Sequence, residues 1–143
     1  MRYLLDTCVI SELVKSKPEK RVVKWIDSVE EDQLFLSAVT IGELEKGICR
    51  LPDSRRKDRI EKWLHEDLLL RFEDKILNLD IDTFIAWGQL TATLETQGIK
   101  MPSTDSLIAA TVIYHDLCLV TRNERDFQNC HLSILNPWTE KPE

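Results

Sequence analysis

Polar or acidic side chains stand at several points where an apolar run gives way to a polar stretch. They are Asp6, Glu43, Asp105 and the Asn123/Asp126 pair. Carboxylates that share one cavity repel one another and raise one another's pKa, which a protein tolerates when a cation neutralises them. Oxygen ligands without a nearby histidine or cysteine suit a hard ion, Mg²⁺ or Mn²⁺. Such an ion activates a bound water and polarises a phosphate oxygen, so the indicated chemistry is phosphodiester hydrolysis.

Each acidic residue also has a purely structural explanation, and these alternatives stay open at the sequence level. Asp6 can cap the helix that follows it, and Asp105 suits the positive end of a helix dipole. Thr40-x-x-Glu43 and Thr121-x-x-Glu124 both match a capping box. The metal hypothesis therefore requires that these side chains lie close together in the folded protein. No single residue is sufficient to support it.

Other catalytic chemistries fit this chain less well. It contains neither a G-x-S-x-G motif nor a phosphate-binding G-x-x-x-x-G-K-[ST] motif. A phosphatase with Asp6 as nucleophile would place a second Asp two positions on, where this chain has Cys8. The four cysteines form no C-x-x-C pair, which disfavours a zinc site and a disulfide framework.

Alternating apolar strands and helices must position these groups. The predicted strands are 2–5, 34–37, 75–79, 117–121 and 132–135. The predicted helices are 9–14, one from about 19, 40–50, one carrying Ile60 to Leu68, 80–97 and 105–115. This alternation predicts an α/β sandwich with a mainly parallel sheet. Ligands of such folds collect beyond the carboxyl ends of the strands, where Asp6 and the turns 37–43 and 121–126 lie.

Size and composition are those of a single globular domain spanning residues 1–143. The net charge of −6 removes any bulk attraction to nucleic acid but allows a local basic surface. No apolar run approaches the roughly 20 residues of a membrane helix. The opening residues do not resemble a signal peptide, so we expect a cytoplasmic protein.

At four points in the chain the residues match a known pattern. The matching segments are Leu4-Leu5-Asp6-Thr7-Cys8-Val9-Ile10-Ser11-Glu12-Leu13, Ser37-x-x-Thr40-x-x-Glu43-Leu44-x-x-Gly47, Asp105-Ser106-Leu107-Ile108-Ala109-Ala110 and Val120-Thr121-Arg122-Asn123-x-x-Asp126-Phe127, followed by Asn136-Pro137-Trp138. In this order and spacing they resemble the PIN-domain family, and specifically the VapC-type toxins of bacterial toxin–antitoxin pairs. The resemblance spans essentially the whole chain and implies a PIN-like three-layer α/β/α sandwich.

The resemblance implies a Mg²⁺-dependent ribonuclease, with Mn²⁺ as a possible substitute. Asp6 and Asp105 match the family's principal metal ligands, and Glu43 matches its third acid. Many members carry a fourth acid where this chain has Asn123, for which Asp126 is a candidate substitute. The chain also departs from the family at Cys8, a position that is often Asn.

The same resemblance implies partners as well as a substrate. Family members are usually homodimers held inactive by a cognate antitoxin, through which any contact with DNA is indirect. Thr7 and Thr121 are candidates for orienting phosphate or carboxylates, and Arg122 is the nearest basic candidate for RNA. Basic clusters on 55–62 and 15–24 are further candidates for RNA. A set of apolar residues on the early helices is a candidate antitoxin groove, with core packing as its alternative: Val9, Leu13, Trp25, Leu44 and Ile48.

Two competing hypotheses remain beside the RNA-cleaving toxin. The first is a PIN-like module that binds RNA or a partner and has lost full activity through Asn123. The second is a DNA nuclease on the same fold, disfavoured because the short chain has no insertions for gripping duplex or flap DNA.

Overall fold

The computed structural model describes residues 1–139, in which parallel strands form one sheet in the order β3-β2-β1-β4-β5. The last four residues of the predicted domain 1–143 lie outside this range. The strands are β1 (Tyr3–Leu5), β2 (Leu34–Ser37), β3 (Ile76–Leu77), β4 (Cys118–Val120) and β5 (Ile134–Leu135). The helices are α1 (Thr7–Leu13), α2 (Lys20–Ser28), α3 (Ala38–Cys49), α4 (Arg55–Lys62), α5 (Leu69–Arg71), α6 (Ile81–Thr96) and α7 (Ser103–His115).

The central strand β1 is buried because both of its neighbours are strands and both of its faces are covered. Tyr3 is in register with Leu34 of β2 on one side and Cys118 of β4 on the other. Successive side chains of a strand point to opposite faces. Leu5 accordingly packs in a core with α1 to α4, and Leu4 packs in a second core with α6 and α7. These two cores define the predicted three-layer α/β/α sandwich, which is confirmed.

Side chains at the strand ends start the helices. The carboxylate of Asp6 accepts from the Thr7 backbone N–H at 2.8 Å, as the capping alternative predicted. The Ser37 hydroxyl accepts from the Val39 N–H at 3.1 Å, and the Asp80 carboxylate accepts from the Thr83 N–H at 2.9 Å. Each of these caps satisfies a helix N–H that has no partner within the helix.

The start of α3 corrects the sequence prediction. The Thr40-x-x-Glu43 pattern placed the first turn at Thr40, but the helix begins at Ala38 with Ser37 as its cap. Thr40 is fully buried and its hydroxyl meets that of Thr7, so it serves tertiary packing and not a capping box.

For the apolar residues of the early helices, the structure shows the alternative of core packing. The proposed antitoxin groove is largely interior: Val9, Leu44 and Ile48 are core residues, and Leu13 and Trp25 pack against them. In contrast, Ile81, Phe84 and Ile85 of α6 and Ile113 of the otherwise buried α7 are exposed. Apolar periodicity located these helices correctly but did not fix which apolar residues face the sheet.

A π-helical turn, Trp63–Leu68, joins α4 to α5. It brings Leu64 and Leu68 into the core and leaves His65 on the surface. Within residues 1–139, every helix is too short or too polar to cross a membrane.

Candidate active site

Asp6 anchors the site at the carboxyl end of the central strand. Its side chain is 6% exposed, and Oδ2 accepts a hydrogen bond from the Thr121 hydroxyl at 2.8 Å. Burial raises the pKa of Asp6 and the negative charge of Glu43 adds to this, while the hydrogen bonds from Thr121 and Thr7 oppose the rise. Burial and the charge of Glu43 therefore disfavour the ionised form of Asp6, while the two hydrogen bonds fix the orientation of its carboxylate.

Glu43 reaches the same edge from the second turn of α3. Its Oε1 accepts from the Thr7 hydroxyl at 2.8 Å, and that hydroxyl lies 3.1 Å from the Thr40 hydroxyl. Because the backbone N–H of Thr7 also bonds Asp6, this single residue orients two of the predicted metal ligands. Of the roles considered for Thr7, the geometry matches the orientation of carboxylates.

Thr121 fixes the opposite side of the site. Besides donating to Asp6, its hydroxyl accepts from the Asn123 backbone N–H at 3.0 Å. The other member of the suspected capping box, Glu124, instead accepts from the Asn136 amide at 3.0 Å. The exposed Asn123 is thus tied to the site through its backbone N–H.

Asp105 opens α7 and completes the cluster. Its pKa is raised from 3.8 to about 6, mainly by burial and further by the negative charges of Asp6, Asp126 and Glu43, in that order. The fold therefore brings residues from four separate parts of the chain within electrostatic reach of one another. Asp126 belongs to this group because its negative charge raises the pKa of Asp105. Asn123 is neutral and has no such effect.

Cys8 lies beside the cluster without the chemistry of a ligand. Its Sγ is 3.8 Å from Asp6 Oδ2 and 3.6 Å from the Thr121 hydroxyl. Burial and the neighbouring Asp6 charge raise the pKa of this thiol, so it stays protonated. Cys8 therefore acts at this point as a weak donor to Asp6.

The donor set fits a hard divalent ion, because its groups are carboxylates whose negative charges repel one another. The spacing adds a constraint. In residues 1–139, the set of three potential ligands whose donor atoms all lie within 4.8 Å of one another is Glu45, Glu61 and His65, not Asp6, Glu43 and Asp105. The cluster thus suits an ion that binds one or two carboxylates directly and keeps several waters, the usual arrangement for Mg²⁺.

Arg122 is engaged with an aromatic ring. Its guanidinium lies 5.5 Å from the centre of the Trp138 ring, within the range of a cation–π contact. The two side chains line a shallow surface pocket with Lys17, Lys20 and Glu12. Arg122 is exposed there and directly follows Thr121 in the sequence.

Sequence reasoning assigned no role to Glu12, a buried carboxylate six residues after Asp6. Its side chain accepts from Lys15 Nζ at 3.2 Å and from the Glu19 backbone N–H at 3.2 Å. Burial by itself would raise the pKa of Glu12, but these hydrogen bonds outweigh it and lower the pKa. Glu12 therefore joins the end of α1 to the start of α2, and its place on the core side of α1 was the signal available in sequence.

This arrangement, a parallel sheet with acidic residues from β1, α3, α7 and the β4 loop at one edge, matches a known family. The family model described as the PIN domain covers residues 3–130. The chain belongs to the PIN-domain family.

Relatives and a solved structure place the chain more closely within it. It is 35% identical over 135 residues to "VapC ribonuclease Y4jK" of Sinorhizobium fredii, covering 94% of this chain and 96% of that protein. It is 34% identical to "Toxin FitB" of Neisseria gonorrhoeae, covering 94% and 97%. The structure of FitAB bound to the IR36 DNA fragment superimposes with a TM-score of 0.90 at 31% identity, covering 98% of each chain.

Proposed function

We propose that this protein is a metal-dependent endoribonuclease and the toxin of a two-protein toxin–antitoxin system. The observation that carries the proposal is the acidic cluster, in which burial, and after it the charges of Asp6, Asp126 and Glu43, together raise the pKa of Asp105 to about 6. Such a cluster is costly for the fold unless a cation neutralises it. The names of two relatives at about one-third identity, a ribonuclease and a toxin, support the choice of activity and role.

In this proposal, Asp6 and Asp105 would hold Mg²⁺ or Mn²⁺ directly, and Glu43 and Asp126 would act on its bound waters. The ion supplies a Lewis acid for the phosphate and a water of lowered pKa. Thr121 and Thr7 hold the carboxylates in the orientation that binding requires. Asn123 offers a neutral oxygen to the waters, and Arg122 attracts the phosphate backbone of RNA.

A partner protein is part of the proposal. FitB has been solved in a complex with FitA on DNA, in a structure that overlays this chain along nearly its whole length. We infer that an antitoxin covers the acidic site with a basic group, and that DNA contact takes place through that partner. A homodimer and a cytoplasmic site of action, where RNA is translated, complete this role.

The decisive experiment compares cleavage of RNA and DNA by the purified protein with Mg²⁺, with Mn²⁺ and with a chelator. We expect RNA cleavage that the chelator abolishes and that Asp6→Asn and Asp105→Asn reduce by at least about a hundredfold. Asp53→Asn is the matched control, because its side chain is fully exposed in the connection between α3 and α4 and pairs with Lys57. Full cleavage by both site variants, or cleavage of DNA alone, would overturn the proposal.

A further inference from the structure

A second set of metal-ligating side chains lies on the surface between α3 and α4, separate from the acidic site. Glu45 on α3, Glu61 on α4 and His65 in the π-helical turn each present one donor atom, and these atoms all lie within 4.8 Å of one another. His65 Nε2 is 3.1 Å from Glu45 Oε2. We propose that these three residues form a binding site for a Zn²⁺-class ion.

The chemistry of the donors supports an ion of this class. One imidazole nitrogen with two carboxylate oxygens suits Zn²⁺, whereas the all-oxygen cluster at Asp6 suits Mg²⁺. Bonds of about 2.1 Å in a tetrahedral site place the donors about 3.4 Å apart. The side chains of Glu45 and His65 are 40% and 52% exposed, so small rotations bring the donors to that spacing.

The charges at this place are not balanced by the protein itself. In the described part of the chain, Glu45 pairs with no lysine or arginine, and Glu61 takes part in no ion pair. Nearby Lys57 and Lys62 are committed to Asp53 and Glu66. Two carboxylates therefore converge with only a histidine between them, an arrangement that a divalent cation stabilises.

The site is distinct from the acidic cluster although both use α3. Glu43 and Glu45 are two residues apart, so they point about 200° away from each other around the helix. An ion at Glu45 ties α3 to α4 from the outside while Glu43 contributes to the acidic site within. Binding should therefore stabilise the helix that carries Glu43, by mass action on the folded state.

The test is calorimetric titration of Zn²⁺ into the full chain carrying Asp6→Asn and Asp105→Asn, so that the acidic cluster contributes little. We expect one ion per chain and a rise in Tm with Zn²⁺. His65→Ala or Glu61→Gln should weaken binding by more than the tenfold to hundredfold typical of residues that only hydrogen-bond to a ligand. Neither substitution is expected to unfold the protein, since both side chains are exposed.

Two control variants make the result specific. His131→Asn removes another exposed histidine, with a residue that tolerates the positive φ of 54° there, and should leave binding unchanged. Cys49→Ser removes a thiol 3.8 Å from Glu45 Oε1 and should retain binding, because the proposed donors are one imidazole nitrogen and two carboxylate oxygens. Unchanged Zn²⁺ affinity in His65→Ala, or binding that depends on Cys49 and not on His65, would overturn the proposal.

Discussion

The Thr121 hydroxyl donates a 2.8 Å hydrogen bond to Asp6 Oδ2 across 115 positions of sequence. The contact exists because β1 and β4 are neighbouring parallel strands, paired at Leu5 and Val120, so that the next residue of each meets at the sheet edge. It supplies a donor to a carboxylate that is only 6% exposed. A hydrogen bond to the charged form favours ionisation and partly offsets the effect of burial.

Replacing Thr121 by Val should raise the pKa of Asp6 further, because the opposing hydrogen bond is lost while burial remains. Mg²⁺ binding requires the ionised carboxylate, so affinity near neutral pH should fall by about tenfold to a hundredfold. The loss should shrink as the pH rises. Calorimetric titration at several pH values measures it. Thr121→Ser, which keeps the hydroxyl, should behave like the parent, and equal affinities for Val and Ser would refute this role.

The pKa of Asp105, raised from 3.8 to about 6, predicts a pH-dependent stability. The folded state holds this proton more tightly than the unfolded chain does. The resulting stabilisation is therefore complete below about pH 4 and is lost as the pH rises through about 6. Asp105→Asn should become more stable relative to the parent over this window, as measured by urea unfolding in metal-free buffer. A difference that stays constant from pH 4 to 7 would contradict the prediction.

Metal-dependent activity should also depend on the ionisation of Asp105, but it should increase with pH where this contribution to stability decreases. Cleavage requires Asp105 in its charged form, so the rate should rise as the pH increases through about 6. Excess Mn²⁺ should move this rise to lower pH, because the ion competes with the proton. A rate–pH profile at two metal concentrations measures both effects. A profile that does not shift with metal concentration would separate Asp105 from metal binding.

Removal of the Glu12 carboxylate should lower the stability of the protein without changing its catalytic chemistry. Glu12→Ala leaves the Glu19 N–H without its acceptor and should lower the free energy of unfolding by about 1–3 kcal/mol. Because hydrogen bonds lower the pKa of Glu12, its contribution is present above about pH 4.5 and declines in acid. Chemical denaturation at pH 7 and pH 4 tests both statements. Glu19→Gln, which changes an exposed side chain and keeps the backbone donor, is the control that should have little effect.

Arg122 should contribute to RNA affinity through charge. In an Asp6→Asn background that does not cleave, Arg122→Ala should weaken RNA binding. It should also reduce the slope of log affinity against log salt by about 0.7, the value of one phosphate contact to a single strand. Arg122→Lys should retain the slope because it retains the charge. An unchanged slope in Arg122→Ala would assign this side chain to its Trp138 contact alone.

The parts of the fold that follow from local pattern were predictable from sequence. Apolar runs ending on polar residues located the strands, and the parallel arrangement brought Asp6, Glu43 and Asp105 to one region, as predicted. Asp126 could be singled out as the substitute for a missing acid, and its charge does act on Asp105. The metal-ligand assignments themselves remain predictions.

The features that sequence missed depend on contacts between distant residues. The start of α3 was misplaced because Thr40 imitates a helix cap while its hydroxyl in fact meets Thr7, 33 positions away. Glu12 lies on the core side of α1, but its role depends on a hydrogen bond from the Glu19 N–H, seven positions away, that the sequence does not reveal. The π-helical turn that presents His65 has no recognised local pattern, so the cluster at Glu45 was not foreseen.

The position of β1 at the centre of the sheet has a consequence for synthesis on the ribosome. Strand β1 pairs with β2, which is complete at Ser37, but the partner of its other edge is Cys118–Val120, which is made about 80 residues later. Asp6 likewise lacks Thr121 and Asp126, which follow this strand in the sequence. A chain truncated before Asp126 therefore lacks part of the acidic centre, although it already contains Asp6, Glu43 and Asp105.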